Sequence, residues 1–431
     1  MPRAFVLGGY GLIGAACCRA LAQAGYAVTA VGRSRAAAAQ SGLAVDWLFR
    51  DLVTTDAATW RADLADADVV VNAAGALQDG PRDDLDGVHD RALGALIDGL
   101  GDSATRFVQI SAAGVSPDSP TAFFRSKARG DARLMASGLD WIILRPTLVL
   151  APAAYGGTAL LRAAAAAPLL HFRVFPDAPV QTVALADLAQ AVVTAAQGGI
   201  PRQRIYDLTE AESRSFAATT EQMRAWLGLP PWRTALTLPE PLARLTGRFA
   251  DGLGRLGWRG PLRTNALVSL RDGITGDPAA WQAAGGAPCK NFEATLAAMP
   301  ATPQDRWFAR MYLLLPLAIG VLALFWMASG LIALAQPQRS AEVLTLRGMA
   351  PGPAMAIALI GGVFDVALGL AILWRRWARR AAMGMIAVAG SYLLGSLIVA
   401  PDLWLDPMGP MVKVLPALPL ALIVASLIEP R

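Results

Sequence analysis

Three glycines in the run Gly8-Gly9-Tyr10-Gly11-Leu12-Ile13-Gly14 have the G-x-x-G-x-x-G spacing of a loop that cradles a pyrophosphate. Gly8 permits the tight turn, Gly11 lets the backbone approach the anion, and Gly14 lets the following helix pack closely on the strand. Free N–H groups at the helix start then face the phosphates. About 20 residues further on, an NAD site carries an acid for the ribose 2′-hydroxyl. Here the chain reads Gly32-Arg33-Ser34-Arg35, with no acid. Two guanidiniums and a hydroxyl suit a 2′-phosphate, so NADP(H) is preferred and NAD(H) remains acceptable. Surface arginines are common, and two solvated side chains are the competing reading.

Other groups are weaker candidates. His89 and His171 stand 82 residues apart and read as ordinary surface or loop residues, which leaves no His-rich metal centre. Asp83-Asp84 and Asp86 read as a solvated loop. Cys17, Cys18 and Cys289 have no C-x-x-C spacing, which fits a reducing compartment.

The glycine run needs a strand before it and a helix after it. Short apolar runs at Ala4–Leu7, Ala27–Val31, Val45–Phe49, Asp68–Asn72, Arg106–Ser111, Trp141–Arg145 and 204–208 alternate with helix-like stretches. Runs without polar alternation fit strands buried on both faces of a parallel sheet, hence an α/β doubly wound Rossmann domain over 1–210. Asp187 is expected to cap the helix that follows a strand-like Val180–Ala184. Residues 211–305 lose the strand signal. Breaks at Gly228–Pro231, Gly257–Pro261 and Gly285–Pro288 separate short helices, a helical cap or linker. The glycines also interrupt the apolar run from Ala4, which argues against a signal peptide.

Of the 431 residues 55% are hydrophobic and 16% charged, and the mean hydropathy is +0.42. Globular domains run about 45–50% apolar and about 25% charged, so part of this chain belongs in lipid. The net charge of +5 is local. Residues 306–431 hold ten basic and five acidic groups, leaving 28 of each in residues 1–305, so a nucleic-acid partner is not indicated. Met311–Ala335 and Ala381–Ala400 carry no charge, Ala354–Trp374 carries only Asp365, and Val414–Ile428 is short. A span needs about 20 apolar residues, so three spans and a fourth are expected, an all-α four-helix transmembrane domain over 306–431. Four arginines in Trp374–Arg380 mark that loop as cytoplasmic. Both termini then lie inside, in a multi-pass protein of the inner (cytoplasmic) membrane. Trp374, Trp377 and Trp404 fall near span ends, while Trp326 is deeper, as a packing residue would be. Asp365 within a span is either functional, lining a cavity for a quinone headgroup or a proton, or structural glue to Ser391 or Tyr392.

Residues 1–210 resemble the short-chain dehydrogenase/reductase superfamily, in the atypical extended NAD(P)H-binding branch that includes the NADPH-holding accessory subunit of respiratory complex I. The residues carrying the resemblance are Gly8, Gly11 and Gly14, Asp51-Leu52, Asn72-Ala73-Ala74-Gly75, Ser111-Ala112-Ala113-Gly114, Ser126-Lys127 and Arg145-Pro146-Thr147. It implies that Asp51 and Leu52 border the adenine, that Asn72, Ala73, Ala74 and Gly75 line the cofactor, and that Pro146 borders the nicotinamide. It further implies that Lys127 binds the ribose and that Ser111 orients a carbonyl. Tyr10, Leu12, Ile13 and Gly9 complete the loop, with Arg33 and Ser34 at the ribose. The last third resembles DoxX-like four-helix membrane domains.

One departure governs the activity. The family's Tyr-x-x-x-Lys reads Phe123-Phe124-Arg125-Ser126-Lys127 here, so the phenol is missing. A general acid of this kind contributes roughly 10²–10⁴-fold. Tyr10 and Tyr155 are the conceivable substitutes. Two functions follow. One is a membrane-anchored NADP(H)-dependent oxidoreductase acting on a lipophilic carbonyl or quinone. The other is a non-catalytic NADPH-holding module that senses redox state or stabilises a membrane complex.

Overall fold

The structure, a computed structural model, describes residues 1–76, 84–258 and 263–428. Asp83 and Pro261 lie outside the described residues. The chain divides into two compact units, Met1–Asp251 with Gly260–Ala309, and Gly252–Arg259 with Arg310–Arg431.

The first unit is built on β1 (Arg3–Leu7), β2 (Ala27–Gly32), β3 (Asp46–Phe49), β4 (Val69–Asn72), β5 (Arg106–Ile110) and β6 (Asp140–Pro146), with a seventh strand at Arg204–Leu208. All pair in parallel, in the order 204–208, β6, β5, β4, β1, β2, β3. Successive residues of a strand point to opposite faces, and here both faces are apolar. Ala4, Val6, Val69, Val71, Ile142 and Leu144 pack toward Cys17, Leu21, Leu188 and Val192. Phe5, Leu7, Val70, Phe107 and Ile143 pack toward Trp60, Leu93, Leu96 and Leu134. Helices α1 (Leu12–Gln23) and Leu185–Ala196 therefore cover one face. The other is covered by α3 (Ala57–Asp63), α4 (Ala92–Leu100) and α5 (Ala122–Met135), with the short α2 (Arg35–Gln40) lying between β2 and β3 in sequence. Strand order reverses between β1 and β4, which opens a crevice at their C-terminal ends.

Asp187 is not a cap. The helix Leu185–Ala196 starts after Ala184, and the Asp187 carboxylate in its first turn accepts from the Lys290 N–H and pairs with the Lys290 ammonium. Residues beyond 210 supply the helices Phe216–Trp226, Glu240–Arg255, Thr264–Arg271, Ala279–Ala283 and Phe292–Ala298.

The second unit is helical. Pro303–Ala335, which begins in the first unit, Pro351–Ala371 and Ala378–Val399 are long and apolar enough to cross a membrane. The fourth expected span is shorter. Its helix, Ala417–Leu427, has 11 residues, or about 16 Å of rise, against about 30 Å of hydrocarbon. Pro410 and Pro416 precede it, with only a short 3₁₀ turn at Val412–Val414 between them. Where the long helices meet, glycines admit close approach. A Cβ on Gly330 would stand 2.9 Å from the Asp365 Cβ, and one on Gly369 would stand 2.6 Å from Met327 Cγ. Asp365 accepts from Ser329 Oγ and Tyr392 Oη, both at 3.2 Å. Ser391 takes no part, because its hydroxyl donates to the Val388 carbonyl of its own helix. Trp326 is buried in the bundle.

Candidate functional site

The crevice is lined first by the glycine loop. Gly8 and Gly9 donate to the Val31 carbonyl, and the chain turns back so that Gly11 donates to Gly8 at 2.8 Å. Gly8 has φ +74°, and a Cβ there would stand 2.9 Å from Ala74 Cα. A Cβ on Gly14 would collide with the Gly8 carbonyl. Gly11 is the N-cap of α1 with no side-chain cap, and no acid occupies the first turn. The N–H groups at Leu12 and Ile13 thus open a helix end suited to an anion. These features fit a dinucleotide.

At the β2 side, Tyr10 turns away from the reaction end. Its hydroxyl accepts from the Arg33 N–H at 3.3 Å, and its ring stacks on Trp47, which stacks on Phe49. The Arg35 guanidinium sits 4.3 Å from the Phe49 centroid. Ser34 caps α2 by accepting from the Ala37 N–H. Asp51 closes a turn by accepting from Val53 N–H, and Leu52 packs into the core beneath. Trp47 and Phe49 join the site at this side without a distinguishing signal in the sequence. Their alternation in β3 with apolar neighbours resembles any strand.

At the β4 side, Asn72 is buried and spends both ends inward. It donates to Gln109 Oε1 at 2.9 Å and accepts from the Ala74 N–H at 3.2 Å. Asn72 therefore shapes the backbone of Ala73, Ala74 and Gly75, and these residues line the crevice.

The largest departure from expectation is His89. It is buried, not a surface residue. Nε2 accepts from the Ala76 N–H at 3.1 Å, so Nδ1 carries the proton and donates to Ser126 Oγ at 2.8 Å. The Ser126 hydroxyl donates in turn to the Phe123 carbonyl at 2.9 Å. Burial and the nearby Lys127 charge lower the imidazole to about 3. His89 sits in a π-helical turn, Gly87–Arg91, that runs into α4 and presses its carbonyl against Gly130 of α5, where a side chain would not fit. His171 is likewise buried, its ring stacked on Trp232 at 4.0 Å. Periodicity carried no sign of either.

Lys127, Ser111 and Phe123 converge at the ends of β5 and α5. Lys127 is buried and donates to the Ile110 carbonyl at 3.1 Å. Burial pushes its ammonium down to about 8 against the upward pull of Asp131. A Cβ on Gly75 would lie 4.0 Å from its Nζ, and Phe123 offers its ring 5.7 Å below. Ser111 donates to Asp131 Oδ2 at 2.7 Å, and Arg145 Nη2 donates to the same oxygen at 3.0 Å. A carboxylate can only accept, so the Ser111 proton is committed and its oxygen is left to accept. Asp131 Oδ1 and Arg145 Nε are buried without partners. The Pro146 carbonyl is held by the Ala113 N–H at 2.9 Å. Tyr155 is 61% exposed at the start of helix Gly156–Ala165, and among the described residues its phenol has no hydrogen-bond partner that would aim it here. Among the acids of the neighbouring loop, Asp84 pairs with Arg91 and Asp86 with Arg129.

Residues 8–198 match the model of an NAD(P)H-binding family, and residues 323–422 that of a DoxX-like family. No curated protein matches the chain. Among solved structures, the Bordetella bronchiseptica enzyme WbmG in complex with NAD is 18% identical, with a TM-score of 0.52 over 71% of this chain and 95% of that one. MoeE5 in complex with UDP-glucose and NAD is 15% identical, with a TM-score of 0.52 over 73% of this chain and 100% of that one. The UDP-glucose 4-epimerase of Thermotoga maritima is 12% identical, with a TM-score of 0.53 over 72% and 99%. At these identities the likeness is one of fold.

Proposed function

We propose, from the fusion of an NAD(P)H-binding Rossmann-type domain to a DoxX-like domain, a membrane-anchored NADP(H)-dependent oxidoreductase whose acceptor is lipophilic, a quinone in preference to a simple carbonyl. The arginine-rich turn at 375–380 supports a cytoplasmic N-terminal domain and C-terminus at the inner membrane. The observation that carries the reading is the Lys127 ammonium beside Gly75, over a ring where the family keeps a phenol.

Gly8, Gly11 and the start of α1 would hold the pyrophosphate, with Arg33 and Ser34 toward the ribose phosphate. Bound there, the nicotinamide supplies a hydride. Phe123 and His89 cannot deliver a proton, the first for want of one and the second because both ring nitrogens are engaged. A ketone that takes a hydride becomes a strongly basic alkoxide and needs a proton in the same step. A quinone becomes a delocalised, far weaker base, which the Lys127 charge stabilises without a general acid.

The committed Ser111 proton and Phe123 favour a second reading, an NADPH-holding module that senses redox state or supports a membrane complex. Both are tested with the full chain in detergent. NADPH and NADH are titrated against wild type and Arg33→Ala. Oxidation is then followed at the nicotinamide band with short-chain quinones and hydrophobic aldehydes. Quinone turnover with NADPH supports the oxidoreductase. Tight binding with no oxidation across the panel supports the holding module. Equal affinity for the two cofactors removes the NADP preference.

A further inference from the structure

The helix Glu240–Arg255 wears its large apolar side chains on the outside. Leu242, Leu245 and Phe249 are 46%, 60% and 69% exposed. They stand at i, i+3 and i+7 on one edge, and Leu253 continues the row. The residues turned inward are small. Ala243 and Gly247 are buried, and a Cβ on Gly247 would sit 3.0 Å from Leu267 Cδ1 of helix Thr264–Arg271. A helix packed on a soluble core buries Leu and Phe and exposes small or polar groups, so this pattern is reversed. Arg244, Arg248 and Arg255 form an exposed basic flank beside the apolar edge. The two acids of the helix are already paired, Glu240 with Arg244 and Asp251 with Arg263.

Where the helix ends gives its occupant. Gly252–Arg259 belong to the second unit. There the Leu256 carbonyl accepts from the Arg375 N–H at 3.1 Å, and the Trp258 indole donates to the Leu373 carbonyl at 2.6 Å. The Arg375 guanidinium lies 5.5 Å from the Trp258 ring. Leu373 and Arg375 directly follow the membrane helix Pro351–Ala371 in the arginine-rich turn. An indole and arginines at the end of a span mark the headgroup level.

We infer that helix Glu240–Arg255 lies in the plane of the lipid headgroups, with Leu242, Leu245 and Phe249 turned into the acyl boundary. Helices of this build bury the apolar edge about 5–10 Å into that boundary and keep the basic flank among phosphates. Lipid, rather than a second protein copy, is the occupant, because the chain leaves the helix straight into contact with the end of a span. The inference is independent of what the nucleotide site does.

The test uses the full chain in nanodiscs of phosphatidylcholine and phosphatidylglycerol. Cys17 and Cys18 are buried, so Cys289→Ser gives a background in which one added thiol takes an environment-sensitive dye. The dye is attached through Leu245→Cys, Phe249→Cys or, on the polar side, Arg244→Cys. Doxyl-labelled lipid should quench the first two at least about twofold more than the third, and iodide should show the reverse order. Equal quenching at all three sites overturns the inference. Shielding of positions 245 and 249 from iodide without quenching by doxyl lipid also overturns it, since protein would then cover the edge. Phe249→Cys gives the same reading if Leu245→Cys perturbs the helix.

Discussion

His89 gives its Nδ1 proton to Ser126 Oγ at 2.8 Å, and through it the turn before α4 is bonded to the α5 segment that bears Phe123 and Lys127. The other ring nitrogen holds the Ala76 N–H, at the end of the loop that lines the crevice. One neutral imidazole thus ties three segments of the site together.

Acid should loosen this tie. An imidazole held at about 3 when folded and at its ordinary 6.5 when unfolded stabilises the fold fully above 6.5, and the contribution is lost as pH falls toward 3. Thermal melts of the full chain between pH 7 and 4.5 should show a smaller loss for His89→Gln than for wild type. At pH 7, His89→Ala should cost about 1–3 kcal/mol, because the Ala76 N–H is left without its acceptor.

Lys127 makes two pH effects of opposite sign. Its ammonium is at about 8 when folded and at 10.5 when not, so its burial is least costly above 10.5 and most costly below 8. Stability should therefore rise across that window. NADPH binding should weaken across the lower part of it, as a cation beside a polyanion is lost. Calorimetric titration should find both slopes absent in Lys127→Met. A binding slope that survives in the variant would assign it to another group.

Phe123→Tyr restores the phenol four residues before Lys127. With aldehyde as acceptor it should raise NADPH oxidation by roughly 10²–10⁴-fold, the contribution of a placed general acid. An unchanged rate would mean that the committed Ser111 proton, and not the missing phenol, silences carbonyl chemistry.

Asp365 receives two hydroxyl bonds inside the bundle. Asp365→Leu strands both donors and should destabilise the detergent-solubilised chain by about 1–2 kcal/mol. Asp365→Asn keeps an acceptor. If the residue is glue, the Asn variant should match wild type in both melting and quinone turnover. Normal melting with lost turnover would identify a proton site.

The glycine loop and the strands were legible because their signals are local. A tight turn dictates Gly8, close packing of the helix on that turn dictates Gly14, and a doubly covered sheet dictates apolar runs, so the seven strands of the sheet fall within a residue or two of expectation. Phe123 and Lys127 were legible by their spacing and Ser111 only through the family resemblance, and the structure puts the Lys127 ammonium 5.7 Å from the Phe123 ring and on the Ile110 carbonyl, next to Ser111. The Ser111–Asp131–Arg145 cluster was not legible, since nothing in a helix marks Asp131 as the acceptor of a hydroxyl 20 residues away. His89 was missed for the same reason, as a lone histidine has no period. Asp187 was misread because the helix begins two residues earlier, at Leu185, which leaves its carboxylate to Lys290. The helix at the fourth expected span is shortened by Pro410 and Pro416, which hydropathy does not weigh.

The reversed face of helix Glu240–Arg255 bears on how the protein is handled. Cutting the chain after Ala309 to obtain a water-soluble nucleotide-binding fragment would leave Leu242, Leu245 and Phe249 facing solvent, while Leu256 and Trp258 lose the backbone partners they have around Arg375. Such a fragment should self-associate even though every predicted span has been removed. Polar replacements along that edge, rather than a different end point, are the way to keep it monomeric.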